Sequence, residues 1–413
     1  MNIQEMAKII NQNKGRLYLV GGAVRDMLLN KENHDEDYCV TGLTEDKFTS
    51  LFKEAILRGK SFGVFDIEHK EFALARTEEK VGKGHKEFEV KTGEHIEIEE
   101  DLARRDITIN SMAQDILTGE LIDPYGGKQD LENKIIRATT EKFAEDPLRV
   151  YRVARLASQL NFTVEKNTLE LMHNLKKELL ALSKERVFCE FRKALETQKP
   201  SVFFEVLKNA MVLDVHFKEV FDLIGSLQPE EYHPEGDSYN HTMIVVDEST
   251  KLTDKVEVRY SALVHDLGKG VTPKSEYPHH YGHDKNGVLP VRELSKRLEV
   301  PTLWEKCGKV SAEEHMRAYF FSKMKPDKQV KLIEKLDRSL LGLDGMKVVV
   351  TADKCSTRDC EEITFVELGK EMLNSINGDF IKDKYGTIQG EQFKEKLTKE
   401  RIIWLKNKQK HWI

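Results

Sequence analysis

The stretch LYLVGGAVRD at residues 17–26, followed by HDEDYCV at 34–40, constrains this chain more than any other. Residues 17–20 read as a short buried strand, because four apolar residues run into a Gly pair that marks a strand end or a close backbone approach. Gly21 and Gly22 leave backbone N–H groups open at a helix start, which is an anion site, and Arg25 follows one turn along to meet a phosphate. Asp35 and Asp37 are expected on one face of a strand, since side chains at i and i+2 share a side. Two carboxylates that close repel each other unless a cation sits between them, and Mg²⁺ suits oxygen ligands while keeping positions for phosphates. An ion held this way lowers the pKa of an attacking hydroxyl and neutralises charge on a leaving pyrophosphate. A Gly pair or a D-x-D alone is ordinary turn material. Their order here is what carries the reading.

Length and charge set the frame. At 413 residues the chain should hold two to four domains. One third of its residues are charged and no apolar run approaches a membrane span. The first 16 residues lack the apolar core of a signal peptide, so a soluble, cytoplasmic protein is expected. The five cysteines are odd in number and lack CxxC spacing, which fits a reducing compartment and argues against a thiolate zinc site. A net charge of −6 argues against indiscriminate coating of nucleic acid, so any such partner needs a local basic surface. Lys406, Lys408 and Lys410 beside Trp404 and Trp412 offer one, or else a solvated helix end.

Residues 1–140 alternate short strand-like and helical runs, with strand candidates near Tyr18, Tyr38, Phe65 and 72–75, and read as a compact α/β domain. Residues 76–86 are polar and Gly-bearing, which suggests a mobile loop beside the site. Glu71 could add a third carboxylate but reads better as a solvated strand residue. In DLARRDITIN at 101–110, Arg104 and Arg105 are phosphate donors and Asp106 an acceptor for a ribose hydroxyl, although composition alone suggests a salt-bridged helix start. From Phe143 the pattern turns helical. Asp146, Arg149, Arg152 and Arg155 recur every third residue and form a polar ridge, suited either to reading a base edge or to intrahelical ion pairs.

A second constellation begins near residue 233. His233, His241, His265, Asp266, Lys269, His280, His283, His315 and Asp353 lie on mainly helical segments, and HDLGKG follows an apolar run as a helix end feeding a Gly turn. Imidazoles and carboxylates without cysteine suit a divalent transition metal or a Mg²⁺-type hydrolytic site. Ligating histidines need outer acceptors, which acidic neighbours can supply.

On these motifs a resemblance stands out. LVGGAVRD, DED, DLARRDITINSMAQD, IDPYGG, EDPLRVYRVARLASQLNF and ERVFCEFRKAL occur in the order seen in class II tRNA nucleotidyltransferases, the bacterial CCA-adding enzymes. HPEGDSYNHT, LVHDLGKG and HHYGHDKNG resemble the HD domain of that family's multifunctional members. The likeness runs from about residue 16 to about 325. It implies an α/β head with a polymerase-β-like mixed sheet, followed by an all-α neck, body and tail that include a helical HD domain. The implied bounds are 1–140 for the head, 141–225 for the neck and body, 226–360 for the HD domain and 361–413 for the tail. The implied activity is template-independent addition of C, C and A to tRNA from CTP and ATP, by a monomer or homodimer with no membrane association.

By the same resemblance, Asp35 and Asp37 are the catalytic carboxylates that hold Mg²⁺. Gly22, Arg25, Arg105, Asp106, Asp146, Arg149, Arg152 and Arg155 form the nucleotide site, with Asp146 and Arg149 choosing between C and A. The loop around residues 76–86 helps the switch from C to A. The HD domain implies phosphohydrolysis of 2′,3′-cyclic phosphates, 2′-nucleotides and small phosphates. His241, His265, Asp266 and Asp353 are its metal ligands, for Ni²⁺, a similar transition ion or Mg²⁺, while Lys269, His283 and His315 contact substrate or a second metal. One departure is Tyr319, where the family pattern carries a further His. A poly(A) polymerase of the same family is the alternative enzyme, and a strongly basic tail without HD residues would favour it. An RNA-binding HD phosphohydrolase with an inactive head is the other alternative, and it would not need the paired aspartates.

Overall fold

The computed structural model describes residues 1–31, 36–58, 63–80, 88–356 and 363–410. The chain divides into two units, residues 1–182 and 183–413. Among the described residues no helix is long and apolar enough to cross a membrane.

The first unit is built on a mixed seven-stranded sheet. Its strands are β1 (Arg16–Val20), β2 (Asp37–Thr41), β3 (Ile56–Arg58), β4 (Val64–Ile67), β5 (Lys70–Leu74), β8 (Ala113–Asp115) and β9 (Leu121–Ile122), in the order β3-β4-β5-β2-β1-β8-β9. Only β2 and β5 run parallel; the other pairs are antiparallel. The apolar run 17–20 does not alternate with polar residues because both faces of the sheet are covered. Leu17 and Val40 join a core with Met6, Ile10, Phe48, Phe65 and Phe72 on one face, whereas Tyr18, Val20 and Cys39 meet Ile98, Leu102 and Ala113 on the other. The helix Ile3–Gln12 that seals the first face starts at a capping box between Asn2 and Glu5.

Residues 76–80 depart from the loop expected of them. They form β6 (Arg76–Lys80), which pairs antiparallel with β7 (Phe88–Thr92) in a separate two-stranded ribbon. The polar, Gly-bearing composition of 76–86 read as a loop, yet a two-stranded ribbon satisfies its backbone by cross-strand pairing without an apolar sequence pattern. Residues 81–87 of that expected loop lie outside the described residues.

The second unit is helical. The helix Ser238–Leu252 is buried along most of its length and packs against Val256–Val264 and Gly342–Ser356, while Thr302–Tyr319 packs against the last two. Arg259 is buried in this stack, its guanidinium donating to the carbonyl oxygens of Thr253, Leu195 and Thr197. Tyr319 belongs to the core side of its helix, where Lys354 Nζ lies 4.8 Å from its ring centre.

Candidate active sites

In the head, strand register sets the first site. Tyr38 pairs with Leu19, so Asp37, one residue before it on β2, lies at the same end of the sheet as the Gly pair that follows Val20. Asp37 also stands in register with Glu71 on the parallel neighbour β5. Paired residues share a face, so Glu71 is solvated, as expected, and also a second carboxylate beside Asp37. Asp35 lies outside the described residues.

The turn after β1 is flanked by two guanidinium groups. Gly21 has φ +71°, and a Cβ there would come 2.7 Å from Arg105 Nη1, so only glycine fits. A Cβ on Gly22 would meet Arg25 Nη2 at 3.5 Å. Arg25, expected one turn along to meet a phosphate, lies beneath this turn. It is buried, with Nε and Nη2 donating to Asp26 and Nη1 donating to Asn110 Oδ1 at 2.8 Å. Arg104 and Arg105 both pair with the buried Asp101, at 2.6 and 3.1 Å. The expected ion-paired helix is therefore present but reversed: Ile98–Ala103 ends there, with the arginines at its negative pole.

Asp106 links this turn to the helix Arg149–Leu160. Its Oδ2 accepts from Arg152 Nε at 3.0 Å, and its Oδ1 accepts from Ile107 N and, at 3.4 Å, from Asn110 Nδ2. Burial works against the Asp106 carboxylate, but Arg152 and Arg149 outweigh it and hold its pKa below the usual value. Arg25, Asn110, Asp106 and Arg152 thus form one continuous polar chain. Arg149 donates to the carbonyl oxygens of Lys142 and Arg104, both at 2.6 Å, which fixes its guanidinium plane. The expected ridge is broken at both ends. Asp146 precedes the helix, and its Oδ1 accepts from Leu148 N at 3.0 Å. Each three-residue step turns the ridge by about 60°, and Arg155 instead donates to Gln159.

The second site forms where four packed helices converge. His241 lies in the first turn of Ser238–Leu252, which Asp237 starts by accepting from Asn240 N and Gly225 N. His265 caps the end of Val256–Val264, His315 lies near the end of Thr302–Tyr319, and Asp353 lies on Gly342–Ser356. Gly268 lets His283 approach, since a Cβ there would come 1.9 Å from the His283 carbonyl oxygen.

The tautomers follow from the acceptors. The Nδ1 atoms of His265, His283 and His315 face the carbonyl oxygens of Ala262, His280 and Ala312 at 2.7, 2.7 and 3.0 Å. A carbonyl only accepts, so each Nδ1 carries a proton and Nε2 is the ring nitrogen turned inward. Asp266 is the hub. Its Oδ1 lies 3.3 Å from the Nε2 atoms of His283 and His315, and its Oδ2 lies 2.6 Å from Lys269 Nζ and 3.3 Å from His265 Nε2. Burial opposes its charge, yet His265 and Lys269 hold its pKa well below the usual value. Two fully buried donor triads result, His241–His265–Asp353 and Asp266–His283–His315, with His233, Glu235 and His241 forming a third that is only partly buried. Among the described residues His265 Nε2 and Asp266 Oδ1 are buried without a hydrogen bond, and an imidazole and carboxylate set of this kind fits a divalent cation.

Two residues escaped the sequence reading. Glu235 Oε1 sits 2.8 Å from His241 Nδ1 and 2.9 Å from His233 Nδ1. Burial would raise the Glu235 carboxyl, but the His233 and His241 hydrogen bonds hold it at about 2. The signal was the acid inside HPEGDSYNH, which reads as a solvated turn residue until the turn folds back. The buried Asp101 is the other; its two Arg partners were noted without it. His233 belongs to the outer layer through Glu235, and His280 is tied to the Leu227 carbonyl.

The poly A polymerase head domain family matches residues 17–137, a family described as the probable RNA and SrmB-binding site of polymerase A matches 161–224, and the HD domain family matches 216–339. This defines the class as a nucleotidyltransferase head joined in one chain to an HD domain, a pairing that implies use of divalent metal. The multifunctional CCA protein of Mannheimia succiniciproducens is 40% identical over 410 residues, covering 95% of this chain and 97% of that one. Its counterpart in Vibrio parahaemolyticus is 40% identical over 367 residues, covering 87% and 90%. The chain belongs to the multifunctional CCA protein family. A CCA-adding enzyme solved with ATP shares the fold at TM-score 0.65 and 19% identity, covering 97% of this chain and 88% of that one. The Thermotoga maritima CCA-adding enzyme complexed with tRNA does so at TM-score 0.65 and 19% identity, covering 97% and 90%.

Two expectations follow for the helical cluster. Burial lowers the His241 pKa, but the Asp353 and Glu235 hydrogen bonds raise it more, to about 9. Below that pH a cation must displace a proton from His241, so affinity should climb about tenfold per pH unit from 6 to 8 and flatten near 9. Calorimetric metal titration at each pH checks this, and a flat profile contradicts it. Glu235→Ala should weaken metal binding by about 10- to 100-fold. Glu235→Gln should recover most of the loss, because its amide oxygen still accepts from His241.

Proposed function

We propose that this chain adds C, C and A to tRNA 3′ ends from CTP and ATP without a template, and that its helical unit carries a metal-dependent phosphohydrolase. The observation that carries the first activity is the meeting, at one end of the head sheet, of Asp37, the Gly21–Gly22 turn with a guanidinium on either side, and Arg152, reached through Asn110 and Asp106. The names of the relatives support the same reading. We assign residues 1–140 to the head, 141–225 to the neck and body, 226–360 to the HD domain and 361–413 to the tail. A cytoplasmic setting follows from the tRNA substrate.

In the head, Asp35 and Asp37 would hold Mg²⁺, which supplies charge neutralisation on the triphosphate and a lowered pKa for the attacking hydroxyl. The tRNA 3′ oxygen forms a bond to the α-phosphorus, the bond to the β-phosphate bridging oxygen breaks, and pyrophosphate leaves. Gly22 N–H and the Arg25 and Arg105 guanidiniums bind and orient the phosphates. Asp106 takes the ribose hydroxyl while Arg152 holds it in place. Asp146 and Arg149 select the base by hydrogen bonding, with Arg155 at the margin of the nucleotide site. Positioning of this kind supplies much of the rate.

In the helical unit, His241, His265, Asp266 and Asp353 would hold the ion, and the imidazole-rich donor set favours Ni²⁺ over Mg²⁺; that ion supplies Lewis acidity to a phosphoryl group. Lys269, His283 and His315 orient a phosphate ester there, with 2′,3′-cyclic phosphates, 2′-nucleotides and small phosphates as substrates. The polymerising reading is tested by offering tRNA that lacks its 3′ CCA each nucleotide separately. CTP alone should add two residues and stop. A long A ladder from ATP alone would make this a poly(A) polymerase instead.

A further inference from the structure

The segment ahead of the helix Ser238–Leu252 carries a side chain into the helical cluster that the assignments above leave unused. Gln228 is buried, at 7% exposure. Its Oε1 accepts from Lys269 Nζ at 2.6 Å, and the same ammonium lies 2.6 Å from Asp266 Oδ2. An ammonium only donates, so the amide oxygen must face Lys269 and the amide NH₂ must face elsewhere. That NH₂ is buried and, among the described residues, makes no hydrogen bond.

The segment is firmly held. Leu227 pairs with Asp237 across an antiparallel bridge, Ser238 N donates to Ser226 O, and Ser226 Oγ donates to Lys269 O. His280 Nε2 meets the Leu227 carbonyl oxygen at 2.9 Å, so that nitrogen carries the proton. His280 Nδ1 is then a lone pair, and it too is buried without a partner among the described residues. A fixed segment that keeps unpaired polar groups beside a cationic and metal-ligating cluster is completed by a ligand rather than by relaxation.

We propose that Gln228 is a substrate contact of this site: its Nε2 donates to a non-bridging oxygen of the phosphate ester while its Oε1 stays on Lys269. This rests on the phosphohydrolase reading and deepens it. A neutral amide donor adds a hydrogen bond to the phosphate without adding charge to the cluster. A role confined to holding Lys269 would need only the oxygen.

Gln228→Glu and Gln228→Leu separate the two roles in the full-length protein. Glu keeps an acceptor for Lys269 and loses the donor; Leu loses both. Calorimetry follows Ni²⁺ binding and then inorganic phosphate binding to the Ni²⁺-loaded protein, and p-nitrophenyl phosphate hydrolysis gives KM and kcat. Both variants should bind Ni²⁺ normally, bind phosphate at least tenfold more weakly and raise KM by a similar factor, with kcat within threefold. CMP incorporation into tRNA reports that each variant is folded. A wild-type phosphate affinity and KM in Gln228→Glu, with a defect only in Gln228→Leu, would reduce Gln228 to a support for Lys269 and overturn the proposal. If the wild-type protein binds Ni²⁺ but neither binds phosphate nor hydrolyses the ester, the phosphohydrolase reading falls and this proposal falls with it.

Discussion

Asp37→Ala is expected to lower CMP and AMP incorporation by roughly a thousandfold or more. A carboxylate that holds the divalent ion contributes several kcal/mol of charge stabilisation, and each 1.36 kcal/mol or so is a factor of ten in rate. Asp37 begins β2 and is exposed, so its removal should change stability by no more than about 0.5 kcal/mol. Loss of activity without loss of fold is therefore the expected combination, and single-turnover incorporation beside a thermal melt measures both. Asp35→Ala should match it. Phosphate-ester hydrolysis by the helical unit should be untouched in either variant. Incorporation that survives both changes would refute the carboxylate assignment.

Asp266→Asn is the converse. It keeps the side-chain volume but removes the charge at the hub, where Lys269 Nζ stands 2.6 Å away and three imidazole Nε2 atoms stand at 3.3 Å. Metal binding should be lost and hydrolysis should fall by roughly a thousandfold or more. Stability should also fall, by about 3–5 kcal/mol, because Lys269 would keep a buried charge without its carboxylate partner. Nucleotide addition should persist at temperatures where the variant remains folded. Hydrolysis that persists in Asp266→Asn, or that disappears in Asp37→Ala, would contradict the assignment of the two activities to two separate clusters.

What could be read from the sequence was local. The strand 17–20, the Gly pair and the HD turn were legible because strand ends, tight turns and helix ends are set by neighbours within a few residues. His241, His315 and Asp353 could be suspected from residue type alone, since imidazoles and acids recur through a helical stretch. Their convergence depends on packing of four helices, which no spacing reveals. The parallel pairing that sets Glu71 beside Asp37 spans a crossover, so it left no periodic mark. Arg104 and Arg105 looked like a salt-bridged helix start on composition alone, and only the end of Ile98–Ala103 shows the polarity reversed. Gln228 carries no signal in a single sequence and Glu235 only that of an acid in a polar turn, because their roles arise from a segment that folds back onto Lys269 and His241.

Whether this head builds CCA is decided by sequencing the 3′ ends of tRNA that lacks its CCA after reaction with CTP and ATP together. The expected ends carry C, C and a single A after the discriminator base, with no further extension. Ends that stop at CC, or that run on in A, would contradict CCA addition.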